Sequence, residues 1–234
     1  MQIAGLQKLT LLDYPGQVAC TVFLSGCNFR CPFCHNSGLL GHTEPLMTHQ
    51  ELLSFLDSRK GLLDAVCVSG GEPTLTGELP QLLKAIKEKG FLVKLDTNGS
   101  RPEVLKALVE QGLVDYVAMD VKNGPAQYGA TTGVDVDIHR IEQSLRFLLE
   151  GKAPYELRTT VVAQLHSEES LLGMGKWLQG LVPGKKPEKL FLQTFVDRES
   201  VLQEGLSAPE GEQMHRYLQL LAPFVEQIEL RGVT

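Results

Sequence analysis

The sequence predicts an α/β protein, a partial, open (β/α)6 TIM-like barrel, and three observations lead there. Short strand-like runs alternate about six times with helix-like runs, the pattern of parallel strands joined by right-handed helical crossovers. The strand-like runs are almost continuously apolar, as in a sheet covered by helices. Six such units are too few to close an eight-fold barrel, and 234 residues suit one α/β domain. A doubly wound open sheet is the alternative.

Each element has its own signal. Residues 6–12 form an extra strand ahead of the barrel, turned at Tyr14-Pro15-Gly16. Residues 17–25 (QVACTVFLS) are rich in β-branched and aromatic side chains and form the first barrel strand. Thr48 with Glu51 is a capping-box pair, so a helix runs from there to about residue 59. A second strand covers 64–69, and a helix over 78–89 stops at Gly90. The third strand is 91–96, followed by a helix over 102–111 closed by Gly112. The fourth strand is 115–120, with a helix over 137–150 before Gly151. The fifth strand is 155–163 with a helix over 167–179, and the sixth strand is 189–193. Ser207 with Glu210 is expected to cap a last helix to about residue 221, with one more strand over 224–230. The chain is thus expected to be one domain: an extension (1–16), a barrel core (17–195), and a C-terminal helix and strand (196–234).

Composition narrows the function. A net charge of −6 argues against nucleic acid as a partner, which would call for a basic face. No apolar run is long enough for a membrane span, and the first residues lack the basic and apolar regions of a signal peptide, so a cytoplasmic protein is expected. Three of five cysteines fall within eight residues, which in a reducing compartment points to metal or redox chemistry.

In (β/α) barrels chemistry gathers at the C-terminal ends of the strands, and the unusual residues collect there. Cys27, Cys31 and Cys34 follow the first strand, and Gly70-Gly71-Glu72-Pro73 follows the second. Asp96-Thr97-Asn98-Gly99 ends the third, Asp120 and Lys122 end the fourth, and Gln193 ends the sixth. Thiolates suit soft metals and iron–sulfur clusters. Three cysteines in one loop would leave one iron of a 4Fe–4S cluster open, because Cys20 and Cys67 fall inside strands and read as buried apolar residues. The competing reading is a Cys3His zinc site with His35 or His42, but there is no second C-x2-C knuckle and His35 adjoins Cys34.

The C-x3-C-x2-C loop with aromatic Phe33 before its last cysteine resembles the signature of the radical S-adenosylmethionine (SAM) superfamily. The resemblance implies that Cys27, Cys31 and Cys34 hold a 4Fe–4S cluster whose open iron chelates SAM, with Phe33 near the adenine. It implies that the GGEP element, Gly70 to Pro73, binds the SAM amino group. Without the resemblance, those glycines read as a tight strand-to-helix turn. The DTNG element (Asp96, Thr97, Asn98) and the DxK element (Asp120, Lys122) are similar to those of glycyl-radical-enzyme activases. There the aspartates organise the carboxylate end of SAM, in some members around a monovalent cation, and two acids facing one site would repel without one. Arg158, a charge within a strand, either pairs a carboxylate or contacts SAM. Gln193 reads equally as a ligand contact or a hydrogen-bonded strand end. Trp177 and Met174 read as helix core, residues 184–187 as a solvated loop, and the remaining histidines show no ligand spacing.

The run from Gly5 to Asn36, the CHN after the cluster loop, GGEP, DTNG and the final IELRG resemble the anaerobic ribonucleoside-triphosphate reductase activating proteins over nearly the whole chain. That implies reductive SAM cleavage, abstraction of hydrogen from a glycine of a partner reductase, and electrons from flavodoxin or ferredoxin. There is no cysteine-rich ferredoxin-like insert after the CHN. The alternatives are a small-molecule radical SAM enzyme like the 7-carboxy-7-deazaguanine synthases, and a non-enzymatic electron carrier or zinc module. Replacing Cys20 or Cys67 with alanine is expected to leave the iron content of the reconstituted protein at the wild-type level. Loss of cluster iron in either variant would break the three-ligand assignment.

Overall fold

The computed structural model describes residues 3–41 and 44–232. His42, one of the two histidines weighed for zinc, lies outside the described residues. The strands are β1 (Ile3–Thr10), β2 (Ala19–Leu24), β3 (Ala65–Gly70), β4 (Leu92–Thr97), β5 (Tyr116–Asp120), β6 (Tyr155–Val161), β7 (Lys189–Thr194) and β8 (Gln227–Arg231). The helices are α1 (His49–Asp57), α2 (Leu79–Glu88), α3 (Pro102–Glu110), α4 (Tyr128–Thr132), α5 (Ile138–Leu149), α6 (Glu168–Leu181) and α7 (Gly211–Leu221). Strand order in the sheet is chain order, with β1 and β8 at its edges, so the sheet does not close. β1 is antiparallel to β2, while β2–β3, β3–β4, β6–β7 and β7–β8 are parallel. This is the expected open, mostly parallel α/β arrangement, with the extra strand at each end.

The contacts divide the chain into two compact units. The first comprises the described parts of Met1–Asn28, Gly38–Thr97 and Arg101–Ala118. Its strands are in register as Ala19↔Ala65↔Leu92, Cys20↔Val66↔Val93, Thr21↔Cys67↔Lys94 and Val22↔Val68↔Leu95. Successive side chains alternate between faces. One face is therefore Cys20, Val22, Val66, Val68, Val93 and Leu95, the oily surface that amphipathic helices such as α2 cover. The other face is small and polar: Ala19, Thr21, Ala65, Cys67 and Lys94. Tyr14 packs against Ala19, Ala65 and Cys67, with Leu92 and Tyr116 beside it. The Tyr14 and Tyr116 ring centres are 5.6 Å apart. The turn that delivers Tyr14 is the one expected: Gln17 N–H donates to Tyr14 O at 3.2 Å, and Gly16 has φ +72°, as a type II turn with proline second and glycine third requires.

The second unit comprises the described parts of Phe29–Ser37, Asn98–Ser100 and Met119–Thr234. Thr159 of β6 points at α6, its hydroxyl 3.7 Å from Met174 Sδ. Met174 is fully buried, as expected. Trp177 is half-buried, with Nε1–H donating to Glu142 Oε1 at 2.9 Å and its ring edge-on to Tyr128.

Two expectations need correction. Ser207 and Glu210 do not form a capping box. α7 starts at Gly211 after Glu210, which makes no side-chain cap bond. Pro209 disfavours helical geometry at Ala208. Ser207 is also already engaged: its N–H donates to Gln164 Oε1 at 3.0 Å, and its carbonyl accepts from Ala163 at 2.9 Å. The stretch between β5 and α5, to which the sequence assigned no element, contains α4, a short helix closed by Gly133 in the left-handed conformation. Its five residues are too few to show helical periodicity. Thr48 and Glu51, in contrast, form both bonds of the capping box. Thr48→Ala is expected to lower stability by about 1 kcal/mol, and Glu210→Ala to stay within about 0.5 kcal/mol of wild type. Urea unfolding monitored by circular dichroism measures both.

Candidate active site

In the first unit the site begins with two backbones in contact. β3 ends at Gly70, whose φ is +128°, and a Cβ there would lie 2.1 Å from Leu24 O. A Cβ on Gly71 would lie 2.1 Å from Gly26 O and 3.1 Å from Cys27 Cβ. Gly71 N–H donates to Leu24 O at 2.9 Å and Glu72 N–H to Gly26 O at 2.7 Å. The glycine pair thus lets the end of β3 lie directly against the start of the cysteine loop, a closeness any side chain would prevent.

That packing sets Glu72, only 1% exposed. Its carboxylate caps the short turn Pro73–Leu75, accepting from Thr74 N–H at 3.1 Å and from the Thr74 hydroxyl. It also accepts from Thr97 Oγ1 at 2.8 Å, which ties GGEP to DTNG. Asp96 has its own partner: Lys94 Nζ lies 2.6 Å from its Oδ1, and the lysine side chain is 1% exposed against 17% for the aspartate. Cys20 and Cys67 are fully buried, and burial is the main cause that pushes each thiol up to about 12.

In the second unit, Cys31 is buried and Cys34 half-buried, with Cys34 N–H donating to Cys31 O at 3.0 Å. Neighbouring segments hold this part of the loop. Arg30 N–H donates to Thr132 O at 2.8 Å, and Gln203 N–H to Pro32 O at 3.0 Å. A Cβ on Gly133 would lie 2.3 Å from Arg30 O, so the end of α4 is shaped to receive the loop. His35 stacks on Phe195, ring centres 5.6 Å apart, and its Nε2 lies 2.6 Å from Val196 O. Phe33 is buried, with Lys122 Nζ 5.9 Å from its ring centre.

Asp120 sits between two cations. Arg158 Nε donates to its Oδ1 and Lys122 Nζ to its Oδ2, each at 2.9 Å. Burial alone would raise the Asp120 pKa, but the Arg158 and Lys122 charges outweigh it and hold the carboxyl well below the usual carboxylate range. For Lys122 burial works downward and the Asp120 charge more than reverses it. Burial raises the Cys31 thiol, the Lys122 charge opposing it. Asn98 closes its turn by accepting from Ser100 N–H at 2.9 Å, and α5 grips the same turn through Ser144 to Gly99 O and Arg140 to Ser100 O. Gln193 is half-buried on β7, and among the described residues its amide has no hydrogen-bond partner.

The cysteines are all free thiols. Among the described residues no three His, Cys, Asp or Glu side chains are placed to hold a single metal ion. A 4Fe–4S cluster asks for thiolates as its ligands, and the donor chemistry of three free thiols in one short loop fits it.

The family model of the radical SAM superfamily matches residues 21–166. The chain belongs to the radical SAM superfamily. Members of the superfamily use a 4Fe–4S cluster and SAM. A Methanocaldococcus jannaschii protein named as a candidate glycyl-radical enzyme activating enzyme is 29% identical over 238 residues, covering 99% of this chain and 96% of the relative. The pyruvate formate-lyase-activating enzyme of Streptococcus mutans is 30% identical over 185 residues, 73% of this chain and 69% of its own. Within the superfamily the chain falls in the activase family. Two solved structures share the fold. A domain of the pyruvate-formate lyase-activating enzyme from Bacteroides vulgatus aligns with TM-score 0.58 at 20% identity, over 72% of this chain and 99% of its own. Native anSMEcpe with bound AdoMet aligns with TM-score 0.62 at 18% identity, over 86% of this chain and 57% of its own.

Two residues of interest were passed over in the sequence. Lys94 carried the signal that singled out Arg158, a charge in an apolar strand. His166 carried none. It is buried, its Nδ1 accepts from Val162 N–H at 3.1 Å, and its Nε2–H therefore donates to Lys122 O at 2.9 Å. This fixes the backbone of the DxK element with a neutral imidazole, whose pKa burial depresses. A depressed pKa gives stability that is present above the unfolded value of about 6.5 and lost as pH falls below it, because the unfolded chain then binds the extra proton. The melting temperature is therefore expected to fall between about pH 6.5 and 5. His166→Gln should melt lower throughout but with a flatter slope over that range, and an unchanged slope would assign the titration to another group.

Proposed function

We propose that this protein is a radical SAM activase that generates a glycyl radical on a partner enzyme, and that the partner is an anaerobic ribonucleoside-triphosphate reductase. The observation that carries the activase reading is the end-to-end match to a protein named for that activity, 99% of this chain on 96% of the relative. The finer choice of reductase rests on the motif resemblance from Gly5 through the CHN, GGEP, DTNG and IELRG segments. Cys27, Cys31 and Cys34 hold the cluster, acting as one radical SAM domain. A bound cluster, reduced by the external electron donor, would supply the one electron for cleavage of SAM to methionine and a 5′-deoxyadenosyl radical, and that radical would take the hydrogen atom from the partner glycine.

The chain's own residues bind and orient. Gly70 and Gly71 let the end of β3 lie against the start of the cysteine loop, and Glu72 offers a buried carboxylate to the SAM ammonium. Pro73 and Thr97 support it, Thr97 by its bond to Glu72. Asp96, Asp120, Lys122 and Arg158 orient the carboxylate end of SAM, Asn98 fixes the turn after Asp96, Phe33 borders the adenine, and Gln193 offers an amide without a partner among the described residues. Flavodoxin or ferredoxin supplies electrons, and the protein works in the cytoplasm. No described helix is long and apolar enough to cross a membrane.

A second reading has a specific observation behind it. The 7-carboxy-7-deazaguanine synthase of Methanopyrus kandleri is 26% identical over 185 residues, 69% of this chain and 70% of its own. One experiment separates the two. The protein is reconstituted anaerobically with iron and sulfide, then given dithionite, SAM and purified anaerobic ribonucleotide reductase. 5′-Deoxyadenosine by chromatography and a glycyl-radical signal by electron paramagnetic resonance are expected together, and both should vanish in Cys31→Ala. 5′-Deoxyadenosine without a radical on the reductase would remove that partner and favour the small-molecule reading. No 5′-deoxyadenosine from a fully loaded protein would remove the radical SAM assignment of these residues.

A further inference from the structure

Asp96 lies in the element that, in some of the resembled activases, holds a monovalent cation. Such an ion fits this chain poorly. Lys94 Nζ already lies 2.6 Å from Asp96 Oδ1, and its side chain is 1% exposed. Lys94 is the register partner of Cys67, on the small, polar face of the sheet. Two residues before Asp96 on the same strand, it shares that face with the carboxylate it pairs. A second cation beside Asp96 would face the ammonium across a few ångströms in a poorly solvated site, where like charges repel strongly.

We propose that Lys94 is the built-in counter-ion of Asp96, a positioning residue whose ammonium takes the place of a bound monovalent cation, so that SAM binding by this enzyme is independent of potassium and sodium. The proposal deepens the function read above and rests on it. Its physical basis is the match between the two ions. An ammonium group carries the same charge as potassium and is of similar size. It differs in being tethered, so it is present whatever the salt and needs no capture from solution. It is also directional: of the three N–H donors of a lysine, Asp96 takes one. An untethered ion would satisfy the carboxylate without fixing its rotamer. The lysine supplies both charge and direction, and its own ammonium, on a side chain only 1% exposed, demands an anionic partner in any case.

The same arrangement explains an oddity of the sequence. The third strand reads LVKLDT, with a charge in mid-strand between buried Val93 and Leu95. A lysine at that position without a carboxylate two residues on would be a buried unpaired charge, the kind of group folded proteins avoid. With Asp96 present the two neutralise each other.

The test measures SAM binding by equilibrium dialysis on the cluster-loaded protein, and 5′-deoxyadenosine formation in parallel, in potassium, sodium and tetramethylammonium salts at matched ionic strength. For wild type, SAM affinity is expected to agree within about twofold across the three salts, since only general screening acts. For Lys94→Met, affinity in tetramethylammonium is expected to fall by on the order of tenfold or more, as Asp96 loses the charge of the Lys94 ammonium, and to recover in potassium or sodium. Lys94→Arg should stay salt-independent. Wild-type binding that requires potassium would overturn the proposal without using a variant. A folded, cluster-loaded Lys94→Met that binds SAM normally in tetramethylammonium would overturn it as well. Absence of SAM binding by wild type in every salt would instead strike the function itself, and the role of Lys94 with it.

Discussion

The approach of Gly70 and Gly71 to the backbone of Leu24–Gly26 is the constraint on which the first unit of the site depends. A Cβ at either glycine would come within 2.1 Å of a carbonyl oxygen, a distance no side-chain carbon can occupy. Since the neighbour is backbone, it cannot swing aside. The contact has two consequences. It registers the end of β3 against the segment entering the cysteine loop, so the position of Cys27 follows from strand pairing. It also buries Glu72, whose carboxylate then needs donors and finds Thr74 and Thr97. Two motifs distant in the chain are joined because one of them lacks side chains.

Charge is handled by the same logic. A carboxylate withdrawn from water must be paired or neutralised, and two of the acids have a base at hand within their own unit: Lys94 for Asp96, and Lys122 with Arg158 for Asp120. For Asp120 the two cations outweigh burial, so the group stays ionised. An anion arriving at Asp120 meets a carboxylate already bracketed by cations. That is a suitable environment for the zwitterionic end of an amino acid, which brings both an ammonium and a carboxylate.

Much of this was legible in the sequence, and the reasons are specific. Thr48 with Glu51, and the glycines after residues 89, 111 and 150, are local signals, and the helix ends they imply are present. The cysteine spacing, GGEP, DTNG and DxK are contiguous strings, so their place at strand ends could be read directly. What stayed hidden depends on contacts between distant residues. Ser207 and Glu210 have capping-box spacing, but Pro209 and the bonds from Ser207 to Gln164 and Ala163 override it. His166 fixes Lys122 from 44 positions away. α4 is too short for periodicity to reveal, yet its closing glycine receives Arg30 of the cysteine loop.

Lys94 differs from these, because its signal was visible in the sequence and was passed over. An apolar strand tolerates a buried charge only if an opposite charge lies on the same face, and on a strand that means an offset of two residues. LVKLDT meets the condition with lysine and aspartate at that offset. The lysine and the motif aspartate thus form one unit, a salt bridge written into six residues, and a motif read from its aspartate onward begins two residues too late. The same offset recurs at Asp120 and Lys122, where the lysine follows the acid and bonds it at 2.9 Å. In both elements an acid is accompanied by a base two residues away, within β4 for Asp96 and just past the end of β5 for Asp120. At Asp120 the local pair is not the whole balance, since Arg158 reaches the same carboxylate from β6.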